Sequence, residues 1–137
     1  MRLVLCLVLL LSACVPYIQY DTSMYAKCWA VELKQPSTEM TLSQAQIFAD
    51  RVTKAEGLNQ VLGIIYLPDL PDQIKRSYAV AAWILPERVI YVTTPTIRYD
   101  SLVHELAHVE AFQLLGDHEH DDRFVEIEVE LFRKYRL

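Results

Sequence analysis

The stretch DSLVHELAHVEAF, residues 100–112, sets His104 and His108 four residues apart, with Glu105 directly after the first. Asp100 before it has the chemistry of a helix N-cap, and Gly116 beyond it that of a C-cap. Between them the chain predicts a helix of about four turns. On a helix, positions i and i+4 share a face, with Cβ atoms about 5–6 Å apart. His104 and His108 therefore project side by side, and Glu105 is turned about 100° away. Two imidazoles at that separation can share one zinc ion at about 2.0–2.1 Å each. Glu105 would lie beside the metal, where a carboxylate can take a proton from an attacking water.

The pattern is H-E-x-x-H, that of zinc metalloproteases. With four histidines and ten glutamates in 137 residues, a shuffled chain contains it with a chance of roughly 1 in 100. Leu106 and Ala107 between the polar positions are apolar or small, which lets the helix lie buried against a sheet. All four histidines fall between 104 and 120, a clustering that a solvated helix face with two incidental histidines does not explain. A catalytic zinc takes three protein ligands and keeps one position open. The segment GDHEHDDRF, residues 116–124, offers His118 and His120 as the third. A histidine six residues after His108 is ruled out, because that position is Leu114. Glu126, Glu128 and Glu130 are carboxylate alternatives on the next helix; otherwise they form a solvated face balanced by Arg133 and Lys134. Asp100, Glu110, Asp117 and Asp121 are close enough in sequence to orient the rings. Tyr91, Tyr99, His118 and Arg98 are candidates to stabilise an oxyanion.

The rest of the chain supplies a frame for that helix. Thr41 with Gln44 forms a capping box. Leu42, Ala45, Ile47, Phe48, Val52 and Ala55 recur at near-helical spacing until Gly57 stops the run. QVLGIIYLP, SYAVAAWIL and RVIYVTT are strand-like, the last alternating with Ile90 and Val92 on one face. Asp121 to Arg136 predicts a final helix, acidic at its start and basic at its end. The expected fold is a small α+β domain: a helix, a sheet of about three strands, the H-E-x-x-H helix and a C-terminal helix. RVIYVTT, residues 88–94, is in place to serve as an edge strand that takes extended substrate; a plain sheet strand is the competing reading.

The N-terminus carries an address. Arg2 precedes an unbroken apolar run, Leu3–Leu11, too short to span a bilayer. Leu11-Ser12-Ala13-Cys14 resembles a bacterial lipobox, which implies cleavage before Cys14 and acylation of its thiol. Val15 follows the cysteine instead of an aspartate, which favours the outer membrane over the inner. The expected organisation is a signal peptide over 1–13, a lipidated tether and entry segment over 14–40 that becomes ordered near CWAVEL, and a domain over 41–137. Cys28 is then the lone cysteine of the mature domain, so no disulfide forms within it, and its apolar surroundings suit a small buried hydrophobe. A net charge of −5 leaves no basic footprint for nucleic acid.

HDDRF, His120–Phe124, together with the H-E-x-x-H helix, resembles the SprT-like minimal zinc metallopeptidases of gluzincin type, over about residues 97–135. The resemblance implies a zincin-like fold holding one Zn²⁺ per chain. It implies His104, His108 and His120 as ligands, with His118 as an alternative third, and Glu105 as general base. It also implies that Phe124 packs the ligand-bearing helix; Asp121 stands where many members have glycine. The function expected is peptide-bond hydrolysis by a lipid-anchored, periplasm-facing envelope enzyme. Its partners are a protein or peptide substrate, the membrane through Cys14, and a regulatory protein if the small domain needs one. A non-catalytic zinc-binding envelope lipoprotein is the alternative.

Overall fold

The computed structural model describes residues 22–68, 81–84, 88–116 and 120–137. In chain order these form helix α1 (Thr22–Glu32), strand β1 (Glu39–Thr41), helix α2 (Leu42–Glu56) and strands β2 (Gly63–Tyr66), β3 (Ala81–Ile84), β4 (Val89–Val92) and β5 (Thr96–Arg98). Helices α3 (Tyr99–Leu115) and α4 (Asp122–Lys134) complete them. The signal segment and Cys14 lie outside the described residues. Among the described residues, no helix is long and apolar enough to cross a membrane.

The fold is α+β, as the hydrophobic periods predict, and the local signals hold where their chemistry is local. Thr41 Oγ1 accepts from the Gln44 backbone N–H at 3.2 Å, and the Thr41 N–H donates to Gln44 Oε1 at 2.9 Å. This is the capping box at the head of α2. Gly57 and Gly116 end α2 and α3 in the left-handed conformation, at φ of 66° and 73°, which glycine adopts without a Cβ penalty. Asp100, in contrast, is not the N-cap of α3: Arg98 holds that position, and no side chain caps it. The Asp100 carboxylate instead accepts from Arg98 Nε at 3.0 Å and from the Ser101 N–H at 2.9 Å.

The three expected strands form one sheet in the order β2-β4-β3, with β2 parallel and β3 antiparallel to β4. Strand β4 is therefore central, hydrogen-bonded on both sides. This removes it as an edge for substrate addition, because its backbone groups are already used. Ile90 and Val92 are fully buried, while Val89 and Tyr91 on the other face are half-buried. A second, two-stranded sheet pairs β1 with β5 antiparallel, setting Met40 opposite Ile97; neither strand was legible as one.

Helix α3 packs against α2, α4, β3 and β5. Leu102, Val103, Leu106, Ala107, Val109 and Ala111 are all buried, so the H-E-x-x-H helix is the interior one. Tyr99, Phe48 and Phe132 meet edge to face, with centroids 5.7 Å apart for each pair involving Tyr99. The entry segment is ordered near CWAVEL, as expected, where it forms the end of α1. Within the expected tether, α1 packs on α4, and Cys28 and Met40 join the core. Cys28 is fully buried and Val31 packs against the core beside it.

Candidate metal centre

Helix α3 sets His104 and His108 one turn apart, with ring centroids 4.9 Å from each other. His120 comes from the head of α4, and the cap of that helix explains its placement. Asp121 is the N-cap; its carboxylate accepts from the Phe124 N–H at 2.9 Å and from Arg123 Nε at 3.2 Å. A carboxylate cap is what a helix N-terminus favours, which accounts for aspartate at that position. His120 then stacks on His104 at 5.1 Å and meets His108 edge to face at 4.6 Å. Phe124 floors the group, its ring 5.2, 4.5 and 4.8 Å from those of His104, His108 and His120.

One nitrogen from each of these three histidines lies within 4.8 Å of the others, an arrangement that can hold a metal ion. His104 Nε2 and His120 Nε2 are 3.1 Å apart. Two imidazoles on one tetrahedral ion, at bond lengths of about 2.0–2.1 Å, have nitrogens about 3.3 Å apart. The donor set fits a borderline-soft divalent cation such as zinc.

The other nitrogen of His104 faces carboxylates. Its Nδ1 is 2.8 Å from Glu32 Oε1 and 2.9 Å from Glu128 Oε1. Glu32, His104 and Glu128 make a second group of metal-ligating type that shares the same ring. Burial opposes a charge on His104, yet its hydrogen bonds to Glu128 and Glu32 and the nearby charge of Glu105 hold a proton there well above the ordinary histidine range. Burial also raises Glu128 above the ordinary carboxylate range, against the pull of His104. Burial, joined by the charge on His104, lowers His120 to about 4. His120 is thus neutral at neutral pH and accepts from His104. A cation between the two Nε2 atoms would replace a shared proton, and the carboxylates of Glu32 and Glu128 on the far side of His104 suit positive charge.

Other expectations are corrected. Glu128 does not lie on a solvated face: it is fully buried under His104. Glu126 is exposed, and Glu130 pairs with Arg133 at 2.6 Å as the charge balance predicts. Tyr99 is not at the site: its ring is in the core, and its hydroxyl donates to the Tyr135 carbonyl at 2.9 Å. Tyr91 lies on strand β4, opposite Ile65 and Ala82. Arg98 is held by Asp100. His118 and Asp117 fall outside the described residues. Glu105 is buried, at 6% exposure.

Of the carboxylates proposed to orient the rings, Asp100 serves Arg98 and Asp121 caps α4. The partners of His104 are Glu32 and Glu128, which the sequence reading did not assign to that role. A signal existed for one of them: Glu128 is four residues after Phe124 on a stripe that continues to Leu131 and Phe132, all buried. No protein-family model, curated protein or solved structure matches this chain.

Proposed function

We propose that the chain is a zinc-dependent peptidase of the SprT-like kind, carried on a lipidated N-terminus at the bacterial envelope. The observation that carries this reading is the convergence of one nitrogen each from His104, His108 and His120 within 4.8 Å. These three side chains would hold one Zn²⁺ per chain. Bound zinc supplies a lowered pKa, near about 7, for a water and a Lewis acid for a carbonyl. Glu105 follows His104 on the same buried helix and acts on its charge; its carboxylate would take the proton from the attacking water and return it to the leaving amine. Neutral His120 offers a lone pair without first losing a proton, and Phe124 keeps the three rings from swinging apart.

The experiment is a zinc titration with metal analysis, followed by peptide hydrolysis. One zinc per chain is expected, lost in His104→Ala. Glu105→Gln should retain the metal and lower kcat by about 10²- to 10⁴-fold. A parent that binds one zinc and turns over no peptide, with Glu105→Gln indistinguishable from it, selects the non-catalytic zinc lipoprotein instead. Absence of bound zinc retires both readings.

A further inference from the structure

We propose that Glu32 and Glu128 act as paired positioning residues for His104, which makes helix α1 a working part of the metal centre. The functional meaning rests on the zinc reading above; the contacts stand independently of it. An ionised carboxylate can only accept hydrogen bonds. Two carboxylate oxygens at 2.8 and 2.9 Å from His104 Nδ1 therefore require the proton on that nitrogen. In the neutral ring the lone pair is then on Nε2, the nitrogen that faces His120; in the charged ring Nε2 carries the proton that a bound cation would displace. Choice of tautomer and choice of binding direction are thus one event. Water competes poorly, because the side chains of His104, Glu32 and Glu128 are only 13%, 19% and 0% exposed.

The two glutamates reach the ring from different helices. Glu128 follows Phe124 by four residues on α4, so the residue that floors the histidines and the one that orients His104 share a face. Glu32 follows Cys28 by four on α1, and Cys28 is itself fully buried. Lys27 Nζ reaches Asp122 at 2.5 Å, tying α1 to the first turn of α4, two residues after His120. Helix α1 thus touches the centre through Glu32 and is fastened to the helix that brings the third imidazole. A metal-ligating histidine whose second nitrogen donates to a carboxylate is held in tautomer and orientation, and loss of such partners lowers metal affinity by about 10- to 100-fold.

The test uses the full chain, with zinc affinity read by competition against a chromogenic chelator and the state of His104 read from long-range ¹H–¹⁵N spectra. Methionine keeps the volume of glutamate and removes the acceptor; glutamine keeps an acceptor oxygen. We expect a hydrogen-bonded proton on His104 Nδ1 in the parent, with and without zinc. Glu32→Met and Glu128→Met should each weaken zinc binding by about 10- to 100-fold and lose that proton's protection from exchange. Glu32→Gln and Glu128→Gln should recover most of both. Folded methionine variants with parental affinity and a protected Nδ1 proton overturn the proposal. If Glu128→Met does not fold, Glu32→Met, at the more exposed position, decides it. A parent that takes up no zinc ends the metal reading alone; the exchange behaviour of Nδ1 in the variants then decides the positioning claim.

Discussion

Cys28 has no exposed surface, and its thiol lies beside two carboxylates. Burial first, then the charges of Glu128 and Glu32, push its pKa up to about 12. A thiolate is the reactive form, so this cysteine is not a nucleophile at neutral pH. Alkylation at pH 8, mapped by mass spectrometry, should label Cys28 in the native protein roughly a hundredfold more slowly than in the denatured chain; comparable rates would show that the α1–α4 contact opens readily. A second expectation concerns Phe124, fully buried beneath three imidazoles. Phe124→Ala should destabilise the fold by about 3–5 kcal/mol, read as a lowered denaturant midpoint, whereas Phe124→Leu should lose much less. At this scale the sequence was informative wherever one helix decides the geometry. The four-residue step from His104 to His108 needs no tertiary knowledge, and the step from Phe124 to Glu128 was available in the same way. Glu32 was not, because its approach to His104 depends on how two helices distant in sequence dock. Tyr99 was misassigned for a related reason: proximity in sequence to the histidines did not reveal which face of α3 it occupies.

Between elements, the end of α2 is tied to the end of α4 by one carboxylate. Glu56 accepts from Tyr135 Oη at 2.5 Å and from Lys134 Nζ at 2.9 Å. The Tyr135 hydroxyl, then Lys134, lowers Glu56 below its ordinary value of 4.5. The sign follows directly. A carboxyl group with a depressed folded-state pKa adds stability that is fully present above its unfolded pKa and is lost as pH falls through the folded one. Unfolding midpoints measured from pH 6 down to pH 3 should therefore fall more steeply in the parent than in Glu56→Gln. At neutral pH the variant should be less stable by on the order of 1 kcal/mol, since the Lys134 side of the pair is solvent-exposed. Parallel curves would remove Glu56 from the acid response. Element identity was legible for the helices with local caps, as the Thr41–Gln44 box shows, and for strands with apolar runs. Strand order was not. Nothing in the alternation of Val89–Val92 tells a central strand from an edge, because neighbours are chosen by chain path. β1 and β5, three residues each, are too short to carry a period at all.

Across the whole molecule, the arrangement of α1 makes a claim about where the functional unit begins. A boundary at Thr41 would remove Cys28 and Glu32, both in contact with the His104–Glu128 group, and would strip β5 of its partner strand with Met40. Burial of an apolar side chain contributes about 1.5–3 kcal/mol, so loss of Cys28 and Met40 together represents several kcal/mol in a small domain. At about 4–8 °C per kcal/mol for domains of about 60–100 residues and about 2–4 °C for those of about 150–250, a fragment of residues 41–137 should melt on the order of 10 °C below a fragment of residues 22–137. The latter keeps every contact described here. The same pair separates packing from site assembly: zinc added in excess stabilises a form that binds it by mass action, so the 22–137 fragment should gain Tm with zinc, and the 41–137 fragment should gain little. If the shorter fragment melted as cooperatively and as high as the longer one, with an equal zinc response, α1 would be a passenger, and the His104 ring would be oriented by α4 alone.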